Sequence, residues 1–146
     1  MRSYGQYCAV AKALDVIGER WNLLIVRELM LRDACRYTDL QRGLPGIATN
    51  LLADRLRDLE AAGVVTRQEA PPPIATTLFA LSERGQALRP VLRELLRWGA
   101  PLMAEPDERD TFRSHWLSGA AELALVDTAP DEPPLFIELR ADDADP

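Results

Sequence analysis

The sequence predicts a mainly α-helical fold carrying a small two-stranded β-wing, and three observations predict it. Apolar residues recur at helical spacing through most of residues 8–62 and again over 88–98. Between these stretches, residues 64–68 (Val-Val-Thr-Arg-Gln) and 76–81 (Thr-Thr-Leu-Phe-Ala-Leu) are short and rich in β-branched and aromatic residues, as strands are. Pro71-Pro72-Pro73 lies between the two runs. Proline cannot donate to a ladder, so pairing stops there and the triplet forms the tip of a hairpin.

The elements follow in order. The first helix is expected over 8–17, with Val10, Leu14 and Ile17 spaced four and three apart, and Gly18 ends it. A second runs over 21–31. Its Leu23, Leu24, Ile25, Val26, Leu29 and Met30 surround most of the circumference, so it belongs at the centre. Arg36-Tyr37-Thr38-Asp39-Leu40 then leads into a short helix ending at Gly43, and Leu44-Pro45-Gly46 makes a turn. The fourth helix, 49–62, stops at Gly63, a residue that accepts the left-handed conformation of helix C-termini. After the strands, Ser82 is suited to cap a long helix with the apolar stripe Leu88, Val91, Leu92, Leu95 and Trp98. Pro90 sits in the first turns of that helix or kinks it. This order is a helix-turn-helix followed by a wing, and it assigns residues 1–104 to one domain.

Residues 105–146 read as an acidic C-terminal extension or a fragment of a second domain. A helix is expected over 110–125 with Leu117, Ala121 and Leu125 in line, then a linker at 130–134 and a strand at 135–139. The last six residues, 141–146, are expected to be disordered. The net charge of −6 is unevenly spread. Residues 1–104 hold 14 of the 17 Lys and Arg and 11 of the 23 Asp and Glu, a net of +3, which leaves −9 for the remainder. A polyanion is attracted by local basic patches, so the acidic total does not exclude nucleic acid.

Other classes are excluded more simply. No apolar run reaches the ~20 residues of a membrane helix. The N-terminus enters a helical pattern without a secretory segment, so a cytoplasmic chain with no membrane partner is expected. Cys8, Cys35 and the single histidine, His115, lie far apart without metal-ligand spacing, so neither a metal nor a cofactor is expected. Ser114 precedes His115, but neighbouring side chains on a helix diverge and no third group is evident. No catalytic residue is assigned, and the chain is not expected to be an enzyme.

The fourth helix carries the candidate site. At 100° per residue, Leu52, Leu56 and Leu59 fall on one side and must face the core. The opposite side carries Asn50, Ala53, Asp54, Arg57 and Ala61, with Thr49 at the leading end. Asparagine bonds adenine bidentately in the major groove and arginine bonds guanine, while Asp54 accepts from cytosine or orients Arg57. Thr49, Asn50, Ala53, Asp54 and Arg57 are therefore candidates for base contact with double-stranded DNA. Arg36, Thr38, Arg42, Arg55 and Arg67 flank them as phosphate candidates. The plain alternative is a solvated helix face with one i,i+3 ion pair and unremarkable surface arginines. The stripe Leu88, Val91, Leu92, Leu95 and Trp98 is either internal core or the seam of a homodimer, the arrangement that a two-fold operator requires.

The stretch Tyr7-Cys8-Ala9-Val10-Ala11-Lys12-Ala13-Leu14-Asp15-Val16-Ile17-Gly18-Glu19-Arg20-Trp21 resembles the opening of the HxlR-type winged-helix regulators. So do the helix at 23–29, Leu44-Pro45-Gly46-Ile47, Leu56-Arg57-Asp58-Leu59-Glu60-Ala61-Ala62-Gly63-Val64-Val65, and residues 81–85. The resemblance covers about 7–102 and implies a cytosolic, dimeric DNA-binding repressor or activator without enzymatic activity. It also implies a role for Cys8, which stands where redox-sensing members carry a reactive cysteine; a helix N-terminus favours the thiolate that oxidants attack. The other reading of Cys8 is a small hydrophobe at the dimer seam, and Cys35 is read as incidental.

The sequence departs from the family at three places. Ala48 replaces a serine that caps the fourth helix, leaving Thr49 to cap. Thr76 stands where a basic wing residue is common, so minor-groove contact by the wing is not implied. Ala9 replaces a frequent proline. The tail from about Asp110 faintly resembles the start of a sterol-carrier-like domain. Three functions remain open at this level: a DNA-binding regulator responsive to an oxidant or small molecule, a protein-interaction module on the same fold, and a ligand carrier acting through the tail.

Overall fold

The computed structural model of the protein describes residues 3–70, 76–105, 107–125 and the single positions 131, 136 and 138. The chain groups into two compact units, Met1–Arg89 and Pro90–Pro146, where the sequence expectation divided it at 104/105. The expected proline tip at 71–73 and the terminal residues 141–146 lie outside the described residues, as do most of the linker at 130–134 and of the strand at 135–139.

The first unit opens with α1 (Ala9–Ile17) and α2 (Asn22–Arg32). The expected stripe of α1 is divided: Ile17 is buried together with Ala11, whereas Val10 and Leu14 stay exposed. Helix α2 is the centre of the unit, with Ile25, Val26, Leu29 and Met30 buried and Leu24 exposed. Two polar residues are buried with them. Asn22 Nδ2 donates to the Val16 carbonyl at 2.7 Å and so holds α1 against the start of α2. The Glu28 carboxylate accepts from Arg27 Nη2 at 2.8 Å and from Arg32 Nε at 3.4 Å. A buried carboxylate needs such partners, because desolvating an unpaired charge costs several kcal/mol or more. A Cβ at Gly43 would run into the Glu28 carboxylate, so any larger residue there forces that paired group to shift.

The sheet departs from the expected two strands. A third, β1 (Ala34–Arg36), pairs antiparallel with β3 (Thr77–Leu81), which also pairs with β2 (Val65–Glu69), giving the order β1-β3-β2. Three residues, Ala-Cys-Arg, carry no alternating pattern; the extended conformation of β1 follows from its pairing, Cys35 opposite Phe79 and Ala34 opposite Ala80. Between β1 and β2 lie α3 (Tyr37–Gly43) and α4 (Thr49–Ala61). The Asp39 carboxylate accepts the Arg36 N–H at 3.1 Å at the start of α3. Leu40, Leu44, Ile47, Val64, Val65, Phe79 and Leu81 complete the core with the α2 residues. Each such side chain contributes about 1.5–3 kcal/mol by leaving water.

The long helix expected after Ser82 is two helices. Ser82 Oγ accepts the Gly85 N–H at 3.0 Å and caps α5 (Glu83–Gln86), and α6 (Arg89–Gly99) begins after a break. Pro90 is the cause: it lacks an N–H, and its ring would strike the Gln86 carbonyl in a continuous helix. The second unit contains the rest of α6, a 3₁₀ turn (Ala100–Met103) and α7 (His115–Ala124). Helix α7 starts five residues later than the sequence suggests, and Asp107 and Asp110 close a turn before it through mutual backbone and side-chain bonds of 2.8 and 2.9 Å.

Candidate nucleic-acid interface

Helices α3 and α4 are joined by residues 44–48, where Gly46 takes a φ of +84° that side chains disfavour. In α4, Leu52, Leu56 and Leu59 are 0%, 3% and 0% exposed, so one side of the helix is fully committed to the core. Its C-terminus closes through a Schellman motif: Val64 N–H donates to the Leu59 carbonyl and Gly63 N–H to the Glu60 carbonyl, both at 2.9 Å. Gly63 has the positive φ, +71°, that this closure requires.

With the leucines turned inward, Thr49, Asn50, Asp54, Arg57 and Ala61 are exposed and Ala53 is half-buried at their edge. Arg57 Nη1 bonds Asp54 Oδ1 at 3.0 Å, one helical turn away. The expected cap by Thr49 does not form. Thr49 is already the first helical residue, and its Oγ1 accepts from Gln41 Nε2 at 2.8 Å. Asn50 Oδ1 instead accepts the Leu51 N–H at 3.0 Å. The Tyr37 hydroxyl donates to the Thr49 carbonyl. Tyr37 and Gln41, one turn apart on α3, thus fix the leading end of α4. Their i,i+4 spacing marks one face of a helix and was available in the sequence, but the partner of that face was not.

The flanking residues divide. Arg36, Thr38 and Arg42 are exposed on β1 and α3, and Arg67 is exposed on β2 with Glu69 at 3.7 Å. Arg55 is different: its side chain is 18% exposed and bracketed by Glu19 and Asp58, each at 3.4 Å. That bracket ties α4 to the turn after α1.

Cys8 is exposed at the N-cap of α1. The Ala11 and Val10 backbone N–H groups lower its pKa below the ordinary thiol value, against a smaller opposing effect of burial. Of the α6 stripe, Val91, Leu95 and Trp98 are exposed, Leu92 is buried, and Leu88 is half-buried just before the helix begins. Among the described residues, no cluster of three or more His, Cys, Asp or Glu is placed to hold a metal, and no helix is long and apolar enough to cross a membrane.

A family described as HxlR-like helix-turn-helix matches residues 16–107, well over half of the chain. The HTH-type transcriptional regulator YvaP of Bacillus subtilis strain 168 is 36% identical over 87 residues, covering 60% of this chain and 80% of that protein. The reduced form of the transcriptional regulator YodB from B. subtilis superposes with a TM-score of 0.59 at 31% identity, covering 70% of this chain and all of YodB. The redox regulator HypR in its oxidised form superposes at 0.61 with 29% identity, covering 68% of this chain and 99% of HypR. The matched region ends at 107, and the sterol-carrier-like reading of the tail stays without support. A helix-turn-helix with a small antiparallel wing and these relatives lead to one conclusion: the chain belongs to the HxlR-like helix-turn-helix family of transcriptional regulators.

Proposed function

We propose that this regulator binds a two-fold DNA operator as a homodimer, each subunit laying α4 in the major groove. The observation that carries this reading is the outward face Thr49, Asn50, Asp54 and Arg57, with Ala53 at its edge, on a helix whose Leu52, Leu56 and Leu59 are buried in the core. Asn50 and Arg57 are the principal readers, with Asp54 aiming the guanidinium. Arg36, Thr38, Arg42 and Arg67 face phosphates, whereas Arg55 holds α4 in place. The dimer seam uses Val91, Leu95 and Trp98, three exposed apolar residues at i, i+4 and i+7 on α6. A second exposed apolar row, Tyr7, Val10 and Leu14, flanks Cys8 in the first unit. Oxidation of the exposed, thiolate-prone Cys8 modulates DNA binding, in keeping with the redox regulator HypR among the relatives. No enzymatic activity is assigned.

An electrophoretic shift on the promoter beside its own gene tests the proposal. Asn50→Ala and Arg57→Ala are each expected to lose about 1–3 kcal/mol of DNA affinity at unchanged melting temperature. Variants that bind as tightly as the parent would remove α4 from the role of reader.

A further inference from the structure

The helix-facing side of the sheet changes character along its length. Val65, Phe79, Leu81 and Cys35 are buried on it. Further out the same side carries Arg67, the cross-strand partner of Phe79, and Glu69, the partner of Thr77. Opposite them α4 presents Ala53, Arg57 and Glu60 beside buried Leu56. The two surfaces do not close, and a cleft of about 340 Å³ remains between them, with Tyr37 at its side.

Its chemistry is specific. Leu56 and Phe79 give it an apolar floor, and the Tyr37 hydroxyl is already committed to the Thr49 carbonyl, so that ring acts as a neutral wall. Two lining cations, Arg57 and Arg67, stand with one lining carboxylate, Glu60. The present partners of both arginines, Asp54 at 3.0 Å and Glu69 at 3.7 Å, are themselves half or more exposed. Exposed pairs of this kind are weak and exchange readily for a better-placed anion. The volume stands at the lower end of the roughly 300–1,000 Å³ of small-molecule sites, enough for one ring.

We propose that this cleft between the fourth helix and the wing is an effector site for a small organic monocarboxylate with a single-ring apolar body. The carboxylate sits between Arg57 and Arg67, and the ring lies on Leu56 and Phe79. The regulatory consequence rests on α4 being the DNA reader: a carboxylate that engages Arg57 withdraws it from the base edge, so ligand and DNA compete.

Calorimetric titration of the whole chain without DNA tests the cleft, with benzoate, phenylacetate and 3-phenylpropionate as probes. Benzamide lacks the charge and inorganic phosphate lacks the ring. At least one carboxylate is expected to saturate a single site per chain, about tenfold more tightly than benzamide or phosphate, and Arg67→Gln weakens it about tenfold. The site is overturned if no carboxylate saturates by about 10 mM, a lenient limit for ligands this small. It is equally overturned if phosphate binds as well, or if Arg67→Gln makes no difference. In a DNA shift, the saturating carboxylate is expected to release the complex; a complex that survives saturation overturns the competition. A chain that never shifts DNA sinks the reading of α4 instead, and the DNA-free titration still decides the cleft.

Discussion

Cys8 and Cys35 carry the same side chain in opposite surroundings. Helix N–H groups lower the pKa of exposed Cys8, whereas burial pushes the Cys35 thiol up to about 12, with Asp39 and Glu28 adding to the rise and Arg32 partly offsetting it. Iodoacetamide is therefore expected to alkylate Cys8 in the native protein, with a rate–pH midpoint below the ordinary thiol value of 9.0, and to reach Cys35 only on unfolding. Mass spectrometry across pH 6–10 checks this, and equal labelling of the two thiols would contradict it. The raised pKa of Cys35 also has a sign. Above the ordinary thiol value of 9.0, unfolded chains lose the proton while folded ones keep it, so stability present below that pH drains away towards 12. The alkaline fall in melting temperature should be shallower in Cys35→Ala. Gly43 is a second residue under close constraint. Its Cβ would enter the space of a carboxylate that is 0% exposed and held by two arginines, so Gly43→Ala should cost about 2 kcal/mol in a urea denaturation. An unchanged midpoint would mean that Glu28 moves aside freely.

At the scale of elements, α4 makes the two-sidedness measurable. Leu52→Ala should cost about 2–5 kcal/mol of stability through the cavity it leaves, whereas Asn50→Ala should leave the melting temperature almost unchanged. Comparable losses at both positions would mean that the helix is rotated from its described orientation. This element was legible because its leucines repeat at four and three residues and its stop, Gly63, has a local conformational cause. The paired strands were legible for the same reason, a short-range pattern with turn residues at its ends. What stayed hidden was set by partners distant in sequence. Strand β1 exists because Cys35 meets Phe79, and nothing within Ala-Cys-Arg announces it. Val10 and Leu14 satisfy helical spacing equally well whether they face their own core or remain exposed, so the period could not say which. Thr49 has the chemistry of a cap but lies one residue too far along, where Gln41 claims its hydroxyl. The outward face of α4 was thus readable from one helix alone. Its fixing by Tyr37 and the bracket around Arg55 required the tertiary fold.

For the whole molecule, the question is how a chain of net charge −6 holds a polyanion. The basic residues proposed to face phosphates, Arg36, Arg42 and Arg67, all lie in the first unit, whereas residues 105–146 carry a net charge of −9 against +3 for residues 1–104. Three arginines per subunit make six in a dimer, so log K should fall with log salt at a slope of roughly −5. Arg42→Ala removes one contact from each subunit and should reduce that slope by about 2 without changing which sequence is preferred. The seam can be tested in the same measurement. Trp98 is 74% exposed on α6, so replacing it by aspartate introduces no charge into a core, but in a dimer it places two carboxylates in an apolar interface. Trp98→Asp is expected to sediment as a single subunit with an unchanged far-ultraviolet spectrum, and its residual DNA binding should show a slope near half that of the parent. If that variant still sediments as a pair, α6 is not the seam; if it separates yet keeps the full slope, one subunit makes all the phosphate contacts and the two-fold operator is wrong.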